Sequence, residues 1–348
     1  MSLNHPIDFP SVMTPFLSSL FHSLIESPGT SVADFRDPEE ASAMGDRRDG
    51  RFYRYGEDLK LAIRVALIVG RPLLLYGPSG CGKSSMVFNL ARIMGRRYYE
   101  FVVHSRTEAK ELLYRFDAIR RLGEAHLGGA SLSDEAEPLW RSPYPFIEPG
   151  SLWWALDPLS AGRRGLPAGE NDKLVQARDP GWSPVSDGKD FVPAIVLIDE
   201  IDKADIDFPN NLLVPLGSRQ FSIEESGENV RFSSLSAGDE PFVIITSNQE
   251  RELPEAFVRR CVVCEISPPS DEDLMELAQA TFRQSDEQVV SEWRLILDIL
   301  RRTRGAAVVS PAEFIDSIKA VAALGTGDQS RWREIILHTS WHNSYNSQ

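Results

Sequence analysis

The sequence predicts an α/β fold, a parallel sheet carrying a phosphate-binding loop, followed by an all-helical C-terminal domain. Three observations predict it. The run Gly77-Pro78-Ser79-Gly80-Cys81-Gly82-Lys83-Ser84 fits G-x-x-x-x-G-K-[ST] and stands between a strand-like apolar run and a helical repeat. Five short apolar runs recur between helical segments, as strands buried on both faces do. After Pro268-Pro269 the strand-like runs stop and helical spacing continues to the end.

The elements follow in order. Residues 1–50 mix short apolar runs with Pro, Ser and acids, and read as a loosely helical lead-in or docking segment. An α/β domain is expected over 51–267. Leu59, Leu61, Ala62, Val65 and Ala66 recur at helical spacing over 58–68, and Gly70 closes that helix. Leu73 to Tyr76 is a strand, the glycine loop follows, and Met86, Leu90, Ile93 and Met94 mark the next helix. Tyr98 to Val103 is the second strand, which completes a βαβ unit and hence a parallel sheet.

The spacing of Leu112, Leu113, Phe116, Ile119 and Leu122 predicts one amphipathic helix over 107–125. Residues 128–190 form a long Gly-, Pro- and charge-rich insert. Its aromatic island, Tyr144 to Trp154, is expected to pack against the body. Ala194–Ile198, Phe242–Thr246 and Cys261–Ile266 are three further strands, with a hairpin over 221–232. The double proline sets the boundary of a helical domain, 268–348, with helices near 271–282, 286–304, 311–324 and 329–341.

Composition narrows the class. With 348 residues, 42% hydrophobic and 25% charged, this is a soluble globular composition with ample core. No apolar run approaches the ~20 residues that span a bilayer, and the start has no secretory pattern. Three cysteines are too few for a disulfide framework and fit a reducing cytoplasm. A net charge of −14 argues against nonspecific nucleic-acid binding, which needs an excess of Lys and Arg.

The loop glycines allow successive N–H groups to turn inward as a nest for anionic oxygens, and the following helix adds the positive end of its dipole. Gly77 to Ser84, with Ser85, are thus the expected ATP-binding residues. Lys83 reaches the β and γ phosphates, and the Ser84 hydroxyl can ligate Mg²⁺. Ile195 to Ile198 ends in Asp199-Glu200, two acids delivered to the sheet's carboxyl edge. Asp199 is expected to hold the Mg²⁺ hydration shell, and Glu200 to orient and deprotonate the attacking water. Asp202 and Asp205 read as solvated or capping. Thr246-Ser247-Asn248 ends the fourth strand with a neutral amide suited to holding the lytic water or a γ-phosphate oxygen.

The cysteines read as packing. Cys261-x-x-Cys264 has no second pair, and in a strand i and i+3 fall on opposite faces. Cys81 stands at a helix N-terminus beside Lys83, which favours thiolate, but its reading is a small residue filling a loop position, with redox sensitivity the alternative.

In that order and spacing, Gly77–Ser84, Ile195–Glu200, Thr246–Asn248 and Leu253-Pro254-Glu255-Ala256-Phe257-Val258-Arg259-Arg260 resemble an AAA+ ATPase, within that superfamily the MoxR-type group. The resemblance runs over about 55–325 and includes Leu212–Phe221, similar to that group's helix and hairpin. It implies a P-loop NTPase core with a five-stranded parallel sheet and a small helical lid. It also implies a homo-oligomeric ring, such as a hexamer, with ATP between subunits, and a von Willebrand factor A-type partner. Asn248 is then the sensor-one residue and Arg260 the arginine finger, with Arg259 the competing candidate. Two features depart from the pattern. Ser310-Pro311 is followed by Ala312 where many members carry an arginine, leaving Arg301, Arg302 or Arg304 to substitute, or the lid to sense nucleotide weakly. Pro215 falls where a helix is usual and should end or kink it.

The function expected is a Mg·ATP-hydrolysing ring that remodels a protein substrate. A nucleotide-gated scaffold with slow turnover, or a nucleic-acid motor, is the alternative.

Overall fold

The computed structural model describes residues 53–128, 139–167, 175–183, 192–232, 240–305, 308–324 and 331–339. The lead-in expected at 1–50, and residues 129–138, 168–174 and 184–190 of the expected insert, lie outside the described residues. So do the ends of the last predicted helix, observed as Trp332–Thr339.

The strands are β1 (Leu73–Tyr76), β2 (Arg97–Val102), β3 (Tyr114–Phe116), β4 (Ile147–Pro149), β5 (Ala194–Asp199), β6 (Gln220–Ser222), β7 (Asn229–Arg231), β8 (Phe242–Ser247) and β9 (Val262–Glu265). Five of them form one parallel sheet in the order β2-β5-β8-β1-β9. The other four make two antiparallel pairs, β3 with β4 and β6 with β7. The hairpin expected over 221–232 is the second of these, with Phe221 opposite Val230.

Strand parity sorts the apolar side chains onto two faces. Leu73, Leu75, Ile195, Leu197 and Ile244 pack against helices Glu57–Val69 and Lys83–Ile93. Leu74, Val196, Ile198 and Ile245 pack on the other face against the aromatic island, where Trp153, Trp154 and Phe146 are buried. Cys261 belongs to the second cluster and Cys264 to the first, as the parity of i and i+3 requires. Burial pushes the Cys261 thiol up to about 12, so it behaves as a small apolar group. Beyond Pro269, helices Asp271–Phe282, Glu287–Arg304, Pro311–Leu324 and Trp332–Thr339 surround a cluster of their own, built on Trp293, Leu300 and Phe314. No helix among the described residues is long and apolar enough to cross a membrane.

The single helix expected over 107–125 is not formed. The chain makes a short helix, Ala109–Leu113, then β3, then a second helix, Ala118–Gly128. Tyr114 leaves helical geometry to pair with Pro149 and to bury its ring against Trp153 and Phe221. The stripe is thereby divided. Leu112 is buried, whereas Ile119 and Leu122 are 86% and 61% exposed. Pro215 has the milder of its two expected effects. Helices Asp207–Asn211 and Leu213–Ser218 meet at Leu212, and Pro215 sits in the second one's first turn, where a missing N–H breaks no helical bond.

Trp153 joins the sheet to the insert. It is fully buried, meets Phe221 edge-on at 5.6 Å and donates its indole N–H to Ser160 Oγ at 3.3 Å. Trp153→Ala should cost about 3–5 kcal/mol of unfolding free energy, read from the urea midpoint at unchanged slope. A loss below about 1 kcal/mol would mean that the insert does not stabilise the sheet.

Candidate functional site

Parallel order places the carboxyl ends of β1, β5 and β8 side by side, and every predicted site residue except Arg260 follows one of these ends. After β1 the chain enters the glycine loop. Gly80 and Gly82 take φ of 81° and 90°, which glycine adopts without steric cost. Gly77, at φ 155°, could not carry a side chain, because a Cβ would stand 2.5 Å from the Ile266 carbonyl oxygen.

Lys83 opens the following helix with its side chain buried and folded back over the loop. Its ammonium donates to the carbonyls of Gly77 and Pro78 at 2.8 and 2.9 Å, and to Asn248 Oδ1 at 2.7 Å. These acceptors stand in for phosphate oxygens, so the lysine is already aimed into the nest. Ser84 Oγ donates to both Asp199 carboxylate oxygens at 2.9 Å. A hydroxyl and a carboxylate brought together are a hard oxygen donor set, the kind that suits Mg²⁺. The residues fit both Mg²⁺ and a triphosphate.

The register of β5 on β8 pairs Ile198 with Ile245, which sets Asp199 beside Thr246. Thr246 Oγ1 donates to Asp199 at 2.5 Å and accepts the Glu200 N–H at 2.9 Å, so one hydroxyl fixes both acids. Glu200 is held at φ 61°, ψ 48°, a left-handed conformation that costs a non-glycine residue about 1–3 kcal/mol. Its Oε1 accepts from Asn248 Nδ2 at 3.2 Å, and its Oε2 accepts from the Lys203 ammonium at 2.6 Å. The hydrogen bond from Lys203 to Glu200 is the main reason that the lysine's pKa is raised.

Two alternatives left open by the sequence close, solvation of Asp202 and a thiolate at Cys81. Asp202 is not solvated. It is 2% exposed, and its carboxylate accepts the backbone N–H groups of Asn248 and Glu250, fixing the turn that carries Asn248. Asp205 is exposed. The Cys81 thiol is not primed as thiolate, because burial raises its pKa by more than neighbouring Lys83 lowers it. Arg301, Arg302 and Arg304 each pair with an acid of the helical region, Asp271, Asp298 and Glu313 respectively.

Ala312 lines a cavity of about 630 Å³ between the loop and the helical region, along with Tyr53, Gly82, Ser85, Ile266 and Lys319. Ser310 stands against Gly80, where a Cβ would lie 3.0 Å from its own. A larger groove, about 840 Å³, lies between Ser105–Tyr114 and the β6–β7 hairpin and touches none of the loop residues. The donor set decides the choice, and the smaller cavity is the one beside it.

Arg260 is not brought to this site. It is exposed between helix Glu255–Val258 and β9, and among the described residues its guanidinium has no ion-pair partner. Arg259 pairs with Glu255 across one helical turn. The sequence reading gave Lys203 and Tyr53 no role, and it gave Thr246 and Asp202 no contact with the site. Only Thr246 left a usable signal, a hydroxyl one step before the Ser-Asn turn on the strand that pairs with β5.

A family model described as AAA domain (dynein-related subfamily) matches residues 72–261, more than half of the chain. No curated protein matches. Among solved structures, a mutant RuvB of Thermotoga maritima aligns at 13% identity and TM-score 0.39, covering 81% of this chain and 67% of that one. The Thermotoga maritima RuvB Holliday junction branch migration motor aligns at 14% and 0.39, covering 81% and 66%. The chain thus spans about two thirds of each of these structures.

Proposed function

The chain belongs to the AAA domain family, dynein-related subfamily, and on that premise we propose that it is a Mg·ATP-hydrolysing ATPase of the MoxR-like group that assembles as a ring and remodels or activates a protein partner. The observation that carries this reading is the unbroken chain Lys83–Asn248–Glu200 across the ends of β1, β8 and β5. It joins a phosphate-binding cation to a carboxylate through one amide.

The roles follow from the contacts. Backbone N–H groups between Gly77 and Ser85, Pro78 excepted, cradle the phosphates, and Lys83 exchanges its carbonyl and amide acceptors for β- and γ-phosphate oxygens. Ser84 and Asp199 hold Mg²⁺, which when bound neutralises charge developing on the phosphate oxygens. Glu200 takes the proton of the attacking water. Asn248, with its amide between Lys83 and Glu200, keeps that water in line. Arg260 reaches the site of a neighbouring copy, a role supported by its exposure.

The MoxR-like assignment is supported by helix Leu213–Ser218 running into the β6–β7 hairpin. A von Willebrand factor A-type partner rests on that resemblance alone. Net charge favours protein over nucleic acid as the partner. The buried free thiols are compatible with a cytoplasmic setting. A slow, nucleotide-gated scaffold is the second reading, favoured by the methyl group of Ala312 on the cavity wall.

Lys83→Ala should weaken ATP binding by about tenfold to a hundredfold, since each hydrogen bond to a charged group contributes roughly 1.5–3 kcal/mol. Phosphate release should fall with it. Titration with a fluorescent ATP analogue reads the first, and a coupled phosphate assay with and without DNA or RNA reads the second. Release no faster in the wild type than in Lys83→Ala would end the ATPase reading. Stimulation by nucleic acid that fades steeply with salt would redirect the partner assignment.

A further inference from the structure

We infer that Lys203 is a positioning residue for hydrolysis, holding the Glu200 carboxylate in the rotamer that faces Asn248 and the attacking water. The inference rests on the ATPase reading above and adds to it a residue outside the phosphate loop, the strand-end acids and the sensor turn.

The local fold explains why Lys203 stands there. Residues Ile201–Lys203 form a 3₁₀ turn, closed by the Lys203 N–H donating to the Glu200 carbonyl at 3.0 Å. In such a turn, side chains three apart lie over one another, so the ammonium is delivered onto the Glu200 carboxylate. The turn is anchored on both sides. Ile201 is buried in the core beside the sheet, and buried Asp202 receives the N–H groups of Asn248 and Glu250. Arg251 Nη1 donates to the Ala204 carbonyl at 3.2 Å and secures the turn's exit. The lysine backbone therefore cannot drift from the glutamate.

The carboxylate is divided between two donors. Lys203 takes Oε2 at 2.6 Å, which leaves Oε1 turned toward Asn248 Nδ2 at 3.2 Å. Without the ammonium, Glu200 would keep its backbone bond to Thr246, and its side chain would be held by the longer contact with Asn248 alone. A carboxylate that samples several rotamers spends less time in line with the water, and small misplacements of a reacting group cost much in rate. Lys203 touches neither the phosphate loop nor Lys83 in the hydrogen-bond network, so its loss should leave nucleotide binding alone.

The test is steady-state hydrolysis by the full chain, with Lys203→Met, Lys203→Arg and Glu200→Gln measured side by side. Lys203→Met should lower kcat about tenfold while KM for ATP and ATP affinity stay within about twofold, and Lys203→Arg should recover most of the loss. Intact ATP binding by the Met variant shows that it is folded. Should it fail to fold, Lys203→Arg decides by itself, because retained turnover supports the inference and a tenfold loss overturns it. A Met variant as fast as wild type, or faster, overturns it as well. Glu200→Gln separates the two levels. If neither the wild type nor this variant releases phosphate, the ATPase reading fails; if the variant still hydrolyses ATP at the wild-type rate, Glu200 is not the base and the role of Lys203 falls with it; if the variant is inactive while Lys203→Met is unaffected, only the role of Lys203 fails.

Discussion

Glu200→Gln should lower phosphate release by about 10²–10⁴-fold while leaving ATP binding and ATP-dependent assembly in place. The substitution is nearly isosteric, so the Thr246 bond to the Glu200 backbone and the left-handed turn should persist. The neutral amide oxygen can still accept from Asn248 Nδ2. What disappears is the anionic oxygen able to take a proton from water, along with the charge partner of Lys203. Lys83, Ser84 and Asp199 are untouched, so the triphosphate and Mg²⁺ keep every contact assigned to them. Single-turnover phosphate release separates the chemical step from product release, and light scattering with ATP follows assembly. A variant that assembles with ATP and hydrolyses normally would remove Glu200 from the mechanism. A wild type that assembles but releases phosphate no faster than the variant would favour the scaffold reading.

Much of this site was legible because its signals are local. The phosphate loop carries its own geometry in three glycines and a lysine, and β1 and the first five residues of β5 are apolar runs that end where the chemistry begins. The central strand β8 was readable for the same reason, since burial along its whole length leaves an apolar signature. What escaped depends on register between distant segments. Thr246 becomes the common support of Asp199 and Glu200 only because β8 pairs with β5 in one alignment, 47 residues apart in the chain for the Asp199 bond. Asp202 looks solvated in sequence, among charged neighbours, and is buried because the Asn248 turn folds onto it. The lost helix over 107–125 failed similarly. Its spacing satisfies a 3.6-residue period, but Tyr114 finds a strand partner at Pro149 that no local pattern announces.

Arg260→Ala should reduce hydrolysis by about 10³–10⁵-fold, the range for an arginine supplied in trans, with ATP affinity nearly unchanged. The affinity expectation follows from geometry, because Arg260 contacts no residue of its own chain's phosphate loop. Arg259→Ala is the matched control. Its guanidinium pairs with Glu255 on the exposed face of a short helix, a pair of small energetic consequence, and its removal should leave turnover within about twofold of wild type. The decisive experiment mixes Arg260→Ala with Lys83→Ala, each inactive alone. The first chain brings an intact loop and the second an intact Arg260. At an interface where the second faces the nucleotide of the first, one complete site is rebuilt. Random assembly of equal amounts makes about a quarter of interfaces complete in a heterologous ring, so activity should return to roughly that fraction of wild type. Recovery in mixed oligomers would assign the finger to the neighbour. Loss of activity that no mixture restores would count against action in trans, and a larger effect from Arg259→Ala would assign the finger to Arg259 instead.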